Sequence, residues 1–372
     1  MDRRMTLDDL PTPCLVLDLG ILTRNLAMMQ AAVARHPGLV LRPHLKTAKS
    51  LDVAALAAPG HGPITVSTLA EAKYFAAGGY ADQIYAAGIT PQKLDAVAAL
   101  NAAGAQVKVI TDDVAAARAI AAHPGPLYAL VEVDVGEGRG GVPPDSAEVL
   151  EIAQALGATL RGVLSHSGHS YNGRSPEDMA AVAEQERSGI VLAATRLREA
   201  GLRCDIVSLG SSPTALYAKR MDGVTDVRAG VYMFGDLFQA QLGTHAPADI
   251  AVTVLASVIG RKPARNAVLL DAGGLALSKD RSTANAPKDY GFGLVWDEDG
   301  KPSFGEATIS RTHQEHGEMT SAAPLPFERL PIGAKLRVAP NHTCMTAAAH
   351  DRYYVVDGSR EVIAVWPRIN GW

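Results

Sequence analysis

Short apolar runs rich in β-forming residues alternate with alanine-rich helical patterns from residue 38 to about residue 232. The predicted strands are 39–43, 64–67, 83–86, 107–111, 128–134, 160–165, 205–209 and 227–232. The predicted helices between them include 50–58, 70–77, 93–103, 114–122, 146–156 and 176–200. Eight strand–helix units in about 200 residues have the number and size of a (β/α)₈ barrel. An open doubly wound sheet is the alternative, but no Gly-x-Gly-x-x-Gly turn follows the first strand.

The pattern changes after Gly243, where strand-like runs follow one another without long helices. These runs are 251–259, 267–270, 307–310, 334–338, 352–356 and 361–366. An N-terminal segment, 12–19, is also predicted to be extended because prolines disfavour helix there, and a helix is predicted over 23–35. The predicted fold class is α/β, a TIM-like barrel with a C-terminal all-β domain. The predicted domains are a barrel over 23–245 and a β domain formed by 1–22 with 246–372.

Candidate chemistry lies where the predicted strands end, since (β/α)₈ barrels bind ligands at the carboxyl ends of their strands. Lys46 follows the first strand, close to Arg42 and His44. A lysine at this position suits carbonyl chemistry once its amine is unprotonated. The alternative is that Lys46 and Lys49 are solvated lysines on a first helical turn.

Small and hydroxyl residues follow the last two barrel strands, at 210–214 and 228–232. Barrels bind phosphate at this position, although 210–214 could also be a plain Ser/Pro turn that caps a helix. A lysine after strand one and a phosphate site after strands seven and eight together suggest pyridoxal 5'-phosphate (PLP), with Lys46 forming the Schiff base. Arg139 could face the pyridine nitrogen, or could form a surface ion pair.

A second candidate site lies in the predicted β domain, where His342 and Cys344 are two residues apart. On an extended segment both side chains would point to one face and could reach one metal. Imidazole and thiolate favour Zn²⁺ over Mg²⁺ or Ca²⁺, with the remaining positions left to water, substrate or a third side chain. The alternative is an ordinary strand pair with a buried cysteine. His313, Glu315 and His316 form another polar cluster, which a solvated loop explains equally well.

Composition narrows the class of protein. The chain has 372 residues, a net charge of −4 and a sequence pI near 6.3, with no basic stripe, so nucleic acid is excluded as a predicted partner. No apolar run is long enough to span a membrane, and the N-terminus lacks a signal-peptide core. Three scattered cysteines do not form a disulfide framework. A cytoplasmic globular protein is therefore predicted.

Seven short blocks carry a family resemblance that spans almost the whole chain. They are Arg-Pro-His-x-Lys-Thr-x-Lys, His-x-Gly-x-Ser-Tyr, Gly-Ser-Ser-Pro-Thr, Arg-Ala-Gly-x-Tyr, Asp-Ala-Gly, Gln-Glu-His-Gly and Pro-Asn-His-x-Cys, in this order. With them the chain resembles the D-serine dehydratase and D-threonine aldolase family of fold-type III PLP enzymes, which is related to alanine racemase. Within that family it is most similar to the bacterial D-threo-3-hydroxyaspartate dehydratases.

The resemblance implies a homodimer that binds PLP and a divalent metal, with Zn²⁺ favoured and Mn²⁺, Co²⁺ or Mg²⁺ as alternatives. His342 and Cys344 would be the metal ligands, and Lys46 and His44 the catalytic residues. Tyr171 and Arg139 would lie by the cofactor ring. The full cofactor-binding set that we predict is Lys46, Arg139, His166, Tyr171, Ser211, Ser212, Gly230 and Tyr232.

The resemblance also implies the reaction. Aldolases of the family carry Asp at the position of Cys344, and many members carry His at the position of Ala48, so both residues favour dehydration. The predicted activity is dehydration of a D-3-hydroxy amino acid to a 2-oxo acid and ammonia, with Lys46 removing the α-proton and the metal promoting departure of the hydroxyl group. The alternative is aldol cleavage to glycine and an aldehyde, with His44 or His313 as base.

Two further alternatives are less favoured. A non-catalytic PLP carrier would lack the β domain, and a racemase would need a tyrosine on the second face of the cofactor. Serine, threonine and 3-hydroxyaspartate all remain open as the substrate. The expected partner is a small-molecule D-amino acid.

Overall fold

The computed structural model describes residues 4–372. It divides into two compact units, which we call the barrel unit and the β unit. The barrel unit is Ala27–Gly230 with the last two residues, and the β unit is the segment up to Leu26 with Val231–Asn370. The domain limits expected from the sequence, 23–245 for the barrel, remain a prediction. No helix of the described chain combines the length and the apolar character that a membrane crossing requires.

The first strand is β1 (Cys14–Asp18), and helix α1 (Leu19–Ala34) follows it directly. The predicted start of α1 at Thr23 is wrong. The Asp18 carboxylate accepts a hydrogen bond from the Ile21 backbone N–H at 3.0 Å and so begins the helix four residues earlier. Thr23 lies inside the helix, where its hydroxyl donates to the Leu19 carbonyl oxygen.

Parallel strands and helices alternate through the barrel unit, as predicted. The strands are β2 (Val40–Pro43), β3 (Ile64–Val66), β4 (Asp82–Gly88), β5 (Gln106–Thr111), β6 (Tyr128–Val133), β7 (Leu160–Ser165), β8 (Ile206–Leu209) and β9 (Asp226–Ala229). The helices are α2 (Leu51–Ala57), α3 (Leu69–Ala77), α4 (Leu94–Ala102), α5 (Val114–Ala122), α6 (Ala147–Leu156), α7 (Pro176–Glu199) and α8 (Ser212–Tyr217). Side-chain oxygens of Thr68, Asp113 and Ser175 cap three of these helices.

The eight strands form one parallel sheet in the order β2-β9-β8-β7-β6-β5-β4-β3. A bridge between His44 and Thr65 brings the two end strands together, so that the sheet is nearly closed into the predicted barrel. The last strand ends at Ala229, three residues earlier than predicted, because 231–233 forms a 3₁₀ turn.

The barrel strands carry charged as well as apolar side chains. An apolar cluster is formed by Ile84, Ile110, Leu130 and Leu164 from β4 to β7. Beside the β2–β9 pair, the buried Arg42 guanidinium donates to the Asp82 carboxylate at 2.8 Å and lies 3.5 Å from the buried Asp226 carboxylate. Lys108 donates to the same Asp82 at 2.7 Å. Arg42, Lys108 and Asp226 therefore each have an opposite partner, as the desolvation of a buried charge requires.

The β unit is built on a nine-stranded sheet that includes β1. Its other strands are β10 (Val252–Lys262), β11 (Ala267–Leu270), β12 (Leu294–Trp296), β13 (Thr308–Thr312), β14 (Gly317–Thr320), β15 (Lys335–Ala339), β16 (Arg352–Val356) and β17 (Ala364–Pro367). β1 lies between β10, its antiparallel neighbour, and β16, its parallel neighbour. Three short helices complete the unit: α9 (Leu237–Gln241), α10 (Gly274–Leu277) and α11 (Thr343–Ala347). The strands β12 and β14 were not predicted from the sequence, because they have only three and four residues.

Candidate active site

Lys46 lies on a tight turn at the carboxyl end of β2. The His44 backbone N–H donates to the Ala229 carbonyl oxygen at 2.7 Å, and the Leu45 N–H donates to that of Thr65 at 2.8 Å. The Lys49 N–H then closes the turn on the Leu45 carbonyl oxygen at 2.7 Å. Lys46 is exposed, whereas both of its neighbours in the chain are buried. The turn is therefore fixed by backbone hydrogen bonds, and it presents one amine at the mouth of the barrel.

Two histidines accompany this lysine, and burial keeps both neutral. Burial, aided by the positive charges of Lys46 and Arg228, lowers the pKa of His44 well below its ordinary value. Burial lowers the pKa of His166 to about 3, although its hydrogen bond to the Gly210 carbonyl opposes the shift. That bond joins His166 Nδ1 to the Gly210 oxygen at 2.8 Å, so Nδ1 carries the proton and Nε2 is an acceptor. His44 Nδ1 has no hydrogen-bond partner among the described residues, which leaves a buried ring nitrogen for a ligand.

We expect this burial to make the stability of the cofactor-free protein depend on pH. A histidine whose pKa is near 3 when folded and near 6.5 when unfolded binds more protons in the unfolded chain between those values. The free energy of unfolding should therefore fall as the pH drops below 6.5, by at most about 1.4 kcal/mol per pH unit from His166. Urea unfolding at several pH values measures this slope. His166→Asn should make this slope of stability against pH shallower, and equal slopes in the two proteins would contradict the prediction.

The 210–214 loop joins β8 to α8 and is held by its own side chains. The Ser211 hydroxyl accepts from the Thr214 backbone N–H at 3.2 Å, while the Ser211 N–H donates to the Thr214 hydroxyl at 3.0 Å. The Ser211 and Ser170 hydroxyls lie 2.9 Å apart, which ties the loop to the segment after β7. Ser212 is buried at the first position of α8. The loop is thus a capping box that places small hydroxyl residues at a strand end.

Gly230, directly after β9, lies against the lysine turn. A Cβ atom at this position would come within 2.8 Å of the His44 carbonyl oxygen and 2.9 Å of the Thr47 hydroxyl. Only glycine allows this close approach. The predicted phosphate-side residues 211, 212 and 230 and the lysine turn therefore belong to one end of the barrel. The exposed amine, the hydroxyl-lined loop and the unpartnered buried imidazole nitrogen together fit an aldehyde cofactor that carries a phosphate.

The remaining predicted cofactor residues differ in their exposure and in the unit to which they belong. Arg139 has a side chain that is more than half exposed and forms an ion pair with Glu137 at 3.3 Å, as in the surface alternative. Tyr171 is partly buried on the 3₁₀ turn after β7. Tyr232 lies in the β unit, fully buried, where burial raises the pKa of its hydroxyl and His245 Nε2 lies 2.9 Å from its carbonyl oxygen.

His342 and Cys344 are not on an extended segment, and that prediction is wrong. Strand β15 ends at Ala339, His342 caps α11, and Cys344 is the second residue of that helix. The chain turns because Asn341 Nδ2 donates to the carbonyl oxygens of Asp280 and Gly291, at 3.1 and 2.7 Å. The Thr343 N–H then donates to the buried Asp236 carboxylate at 3.1 Å, which begins the helix.

The two side chains nevertheless interact. Burial alone would lower the pKa of His342, but the charge and hydrogen bond of Cys344, with the carboxylates of Asp236 and Asp280, raise it to about 9. Within residues 4–372, no group of three or more His, Cys, Asp or Glu residues has the geometry to hold a metal ion. The pair can therefore supply two ligands and leaves the other positions to water or substrate, as catalytic sites do.

The second polar cluster lies in the hairpin between β13 and β14. His313, Glu315 and His316 are exposed. Backbone bonds from Gly274 and Leu275 to this hairpin fix its position without using the three side chains. The placement agrees with the solvated-loop alternative.

Comparison with known proteins identifies the family. Residues 17–237 match the model of the alanine racemase N-terminal domain, and 251–356 match that of a putative serine dehydratase domain. The D-threo-3-hydroxyaspartate dehydratase of Delftia sp. (strain HT23) is 43% identical over the full length of both chains. The chain belongs to the D-serine dehydratase and D-threonine aldolase family. The family assignment made from the seven sequence blocks is confirmed, as is the fold class.

Other relatives of the D-serine dehydratase and D-threonine aldolase family agree. The D-threonine aldolase of Arthrobacter sp is 33% identical and covers 95% of this chain and 91% of its own. The D-serine dehydratase of Dictyostelium discoideum is 29% identical over 96% of both chains. The structure of the Delftia dehydratase superposes with a TM-score of 0.94 and 42% identity over 99% of this chain and all of that one. A cysteine-to-alanine mutant of that dehydratase was solved in a metal-free form.

Four residues that shape these sites have roles that were not predicted from sequence: Glu186 and Asp236, and, within the quoted blocks, Arg228 as a buried cation and Asn341. Glu186 is fully buried on α7, between the apolar positions Ala183 and Ile190. A carboxylate on the apolar face of an amphipathic helix is the signal that could have found it. No helical pattern of apolar positions marks Asp236 or Asn341, because both lie in short irregular segments.

Proposed function

We propose that this protein is a PLP- and metal-dependent dehydratase that converts a D-3-hydroxy amino acid, first of all D-threo-3-hydroxyaspartate, to a 2-oxo acid and ammonia. The observation that carries the proposal is full-length similarity, at 43% identity, to a D-threo-3-hydroxyaspartate dehydratase, in a chain that has its own lysine turn and His342–Cys344 pair. Bound PLP supplies an electron sink that makes the substrate α-C–H acidic.

Different barrel residues are proposed to bind the cofactor and to transfer the proton. Lys46 Nζ would hold the cofactor through its aldehyde carbon and, once released, take the α-proton from the one face on which its turn lies, which sets D specificity. The hydroxyls of Ser211 and Ser212 and the Gly230 segment would bind the phosphate, with His166, Arg139, Tyr171 and Tyr232 as further cofactor-side residues. His44 is neutral at pH 7 because it is buried, and we assign it to proton transfer beside Lys46.

The metal ligands would be His342 and Cys344, and the nitrogen–sulfur pair favours Zn²⁺. A divalent ion held there would supply Lewis acidity to the substrate hydroxyl group, which is otherwise a poor leaving group. Two protein ligands leave coordination positions open for that hydroxyl group. We further propose a homodimer in the cytoplasm, a compartment that suits a chain whose three cysteines form no disulfide bond.

A product assay tests the function. Protein loaded with PLP and Zn²⁺ is given D-threo-3-hydroxyaspartate, D-serine or D-threonine, with the L-enantiomers as controls. We expect equal amounts of ammonia and 2-oxo acid from at least the first substrate, none from the L-enantiomers, and loss of the reaction in EDTA with recovery on added Zn²⁺.

The competing function is aldol cleavage, which the 33% identity to a D-threonine aldolase favours. In that case the same assay would yield glycine and an aldehyde in equal amounts, with no ammonia. This outcome would overturn the dehydratase proposal while leaving the PLP and metal sites in place.

A further inference from the structure

A buried carboxylate lies directly behind the 210–214 loop. Glu186, on α7, has no exposed surface. Its Oε1 accepts hydrogen bonds from the Gly210 backbone N–H at 3.0 Å and from the Ser165 hydroxyl at 3.3 Å. Its Oε2 accepts from the Thr214 hydroxyl at 3.0 Å. One side chain therefore connects the end of β7, the end of β8 and the first turn of α8.

These contacts hold the loop at both of its ends. Gly210 has φ +131°, and a Cβ atom there would lie 2.5 Å from the Arg228 carbonyl oxygen, so the chain leaves β8 in a conformation that needs glycine. At the other end, the Thr214 hydroxyl is the acceptor for the Ser211 N–H. Glu186 thus binds the backbone N–H that directly precedes the capping box and one of the two hydroxyl groups from which the box is built.

A carboxylate at this place lowers the stability of the fold by itself. It is fully desolvated, and its charge would oppose an anion bound on the other side of the loop. Arg228, also buried, donates to the Ser208 hydroxyl at 2.7 Å and to the Ser165 carbonyl oxygen, and so brings a compensating cation to the same strand ends. The carboxylate supplies two acceptor oxygens in fixed positions, and these bind donors on three segments of the chain.

We propose that Glu186 is the positioning residue of the phosphate site: it holds Gly210 and Thr214 so that the 210–214 loop presents its hydroxyl groups and helix start to the phosphate of PLP. The proposal rests on the proposed PLP site. The hydrogen bonds of Glu186 go to the loop and to Ser165, so its loss should affect binding of the phosphate and leave binding of the aldehyde unchanged.

The test compares PLP with pyridoxal, which has the aldehyde but no phosphate. Cofactor-free protein is titrated with each, and the dissociation constant is read from the absorbance change on Schiff-base formation. We expect Glu186→Ala to weaken PLP binding about 10- to 100-fold and pyridoxal binding less than about 3-fold. Glu184→Gln is the matched control, since Glu184 is a partly exposed glutamate on the same helix, paired with Arg187 at 2.6 Å. It should leave both constants unchanged.

Two conservative variants separate acceptor geometry from charge and keep the test valid if Glu186→Ala does not fold. Glu186→Gln retains an acceptor for the Gly210 N–H, and its amide can donate to the Thr214 hydroxyl, so PLP affinity should stay within about 3-fold. Glu186→Asp retains the charge but cannot span both groups, so it should weaken PLP alone.

Equal losses of PLP and pyridoxal affinity, or no loss in the Ala and Asp variants, would overturn the assignment of Glu186. Failure of the unchanged protein to bind PLP at all would instead overturn the proposed function. The two failures are therefore distinguishable in one set of titrations.

Discussion

Lys46→Ala should lower kcat for ammonia release from D-threo-3-hydroxyaspartate by at least about 10³-fold, because it removes both the amine that holds the cofactor and the base that takes the α-proton. The fold should be unaffected. The lysine turn is closed by backbone hydrogen bonds from His44, Leu45 and Lys49, and the Lys46 side chain is exposed. Thermal unfolding and kcat, measured on the same preparation, check both statements.

Lys49 is the matched control, three residues further along the chain. Its Nζ lies 3.3 Å from the carboxylate of the buried Glu71, so its role is structural. Lys49→Ala should lower the free energy of unfolding by about 1–3 kcal/mol, since it leaves a buried carboxylate oxygen without its cation, and should retain most of kcat. The assignment of Lys46 would be wrong if the two variants exchanged these effects, or if Lys46→Ala kept more than a tenth of the activity.

Substitution of either proposed metal ligand should have the next largest effect on activity. We expect His342→Ala and Cys344→Ala each to lower kcat about 10²- to 10³-fold, because each removes one of two protein ligands from the Lewis acid that assists hydroxyl departure. PLP binding should persist, since the lysine turn and the 210–214 loop lie in the barrel unit. Metal content by atomic absorption, together with kcat in the presence of Zn²⁺ or EDTA, measures the effect.

The other two cysteines provide the control for this prediction. Cys14 and Cys204 are buried, and burial raises the pKa of their thiols to about 12 and about 11. Such thiols do not ionise to bind metal near neutral pH. Cys14→Ala and Cys204→Ala should therefore retain the metal, and undiminished metal content in Cys344→Ala would refute the assigned site.

The lysine turn could be predicted from sequence because its position depends on local pattern. A (β/α)₈ barrel places the residues after each strand at one end, and the short apolar run before Lys46 marks the first strand. The positions of Gly230 and of the 210–214 loop follow from the same alternation. The seven sequence blocks indicated the family and, through it, the expected chemistry. The alternation of strands and helices alone does not indicate either.

The backbone conformation at His342 and Cys344 could not be predicted from sequence, because residues distant in the chain determine it. Asp236, which binds the Thr343 N–H, is 107 residues away in sequence, and the carbonyl acceptors of Asn341 are 61 and 50 residues away. The alternation of residues 340–344 fits a strand as well as a turn followed by a short helix. The buried position of Glu186 could have been predicted from the apolar face of α7, but not its contacts, because the groups it binds are 24 and 28 residues further along the chain.

The ion pairs beside the β2–β9 pair restrict how this barrel can change over evolutionary time. Arg42 and Asp226 have side chains only 5% exposed, and loss of Arg42 leaves the Asp226 carboxylate without this guanidinium in a dry interior, at a cost of about 3–5 kcal/mol. A typical domain has only about 5–15 kcal/mol of stability to lose. The restriction is therefore one-sided: a change at Arg42 should be accompanied by loss of the charge at Asp226, whereas Asp226 can change while Asp82 still pairs with Arg42.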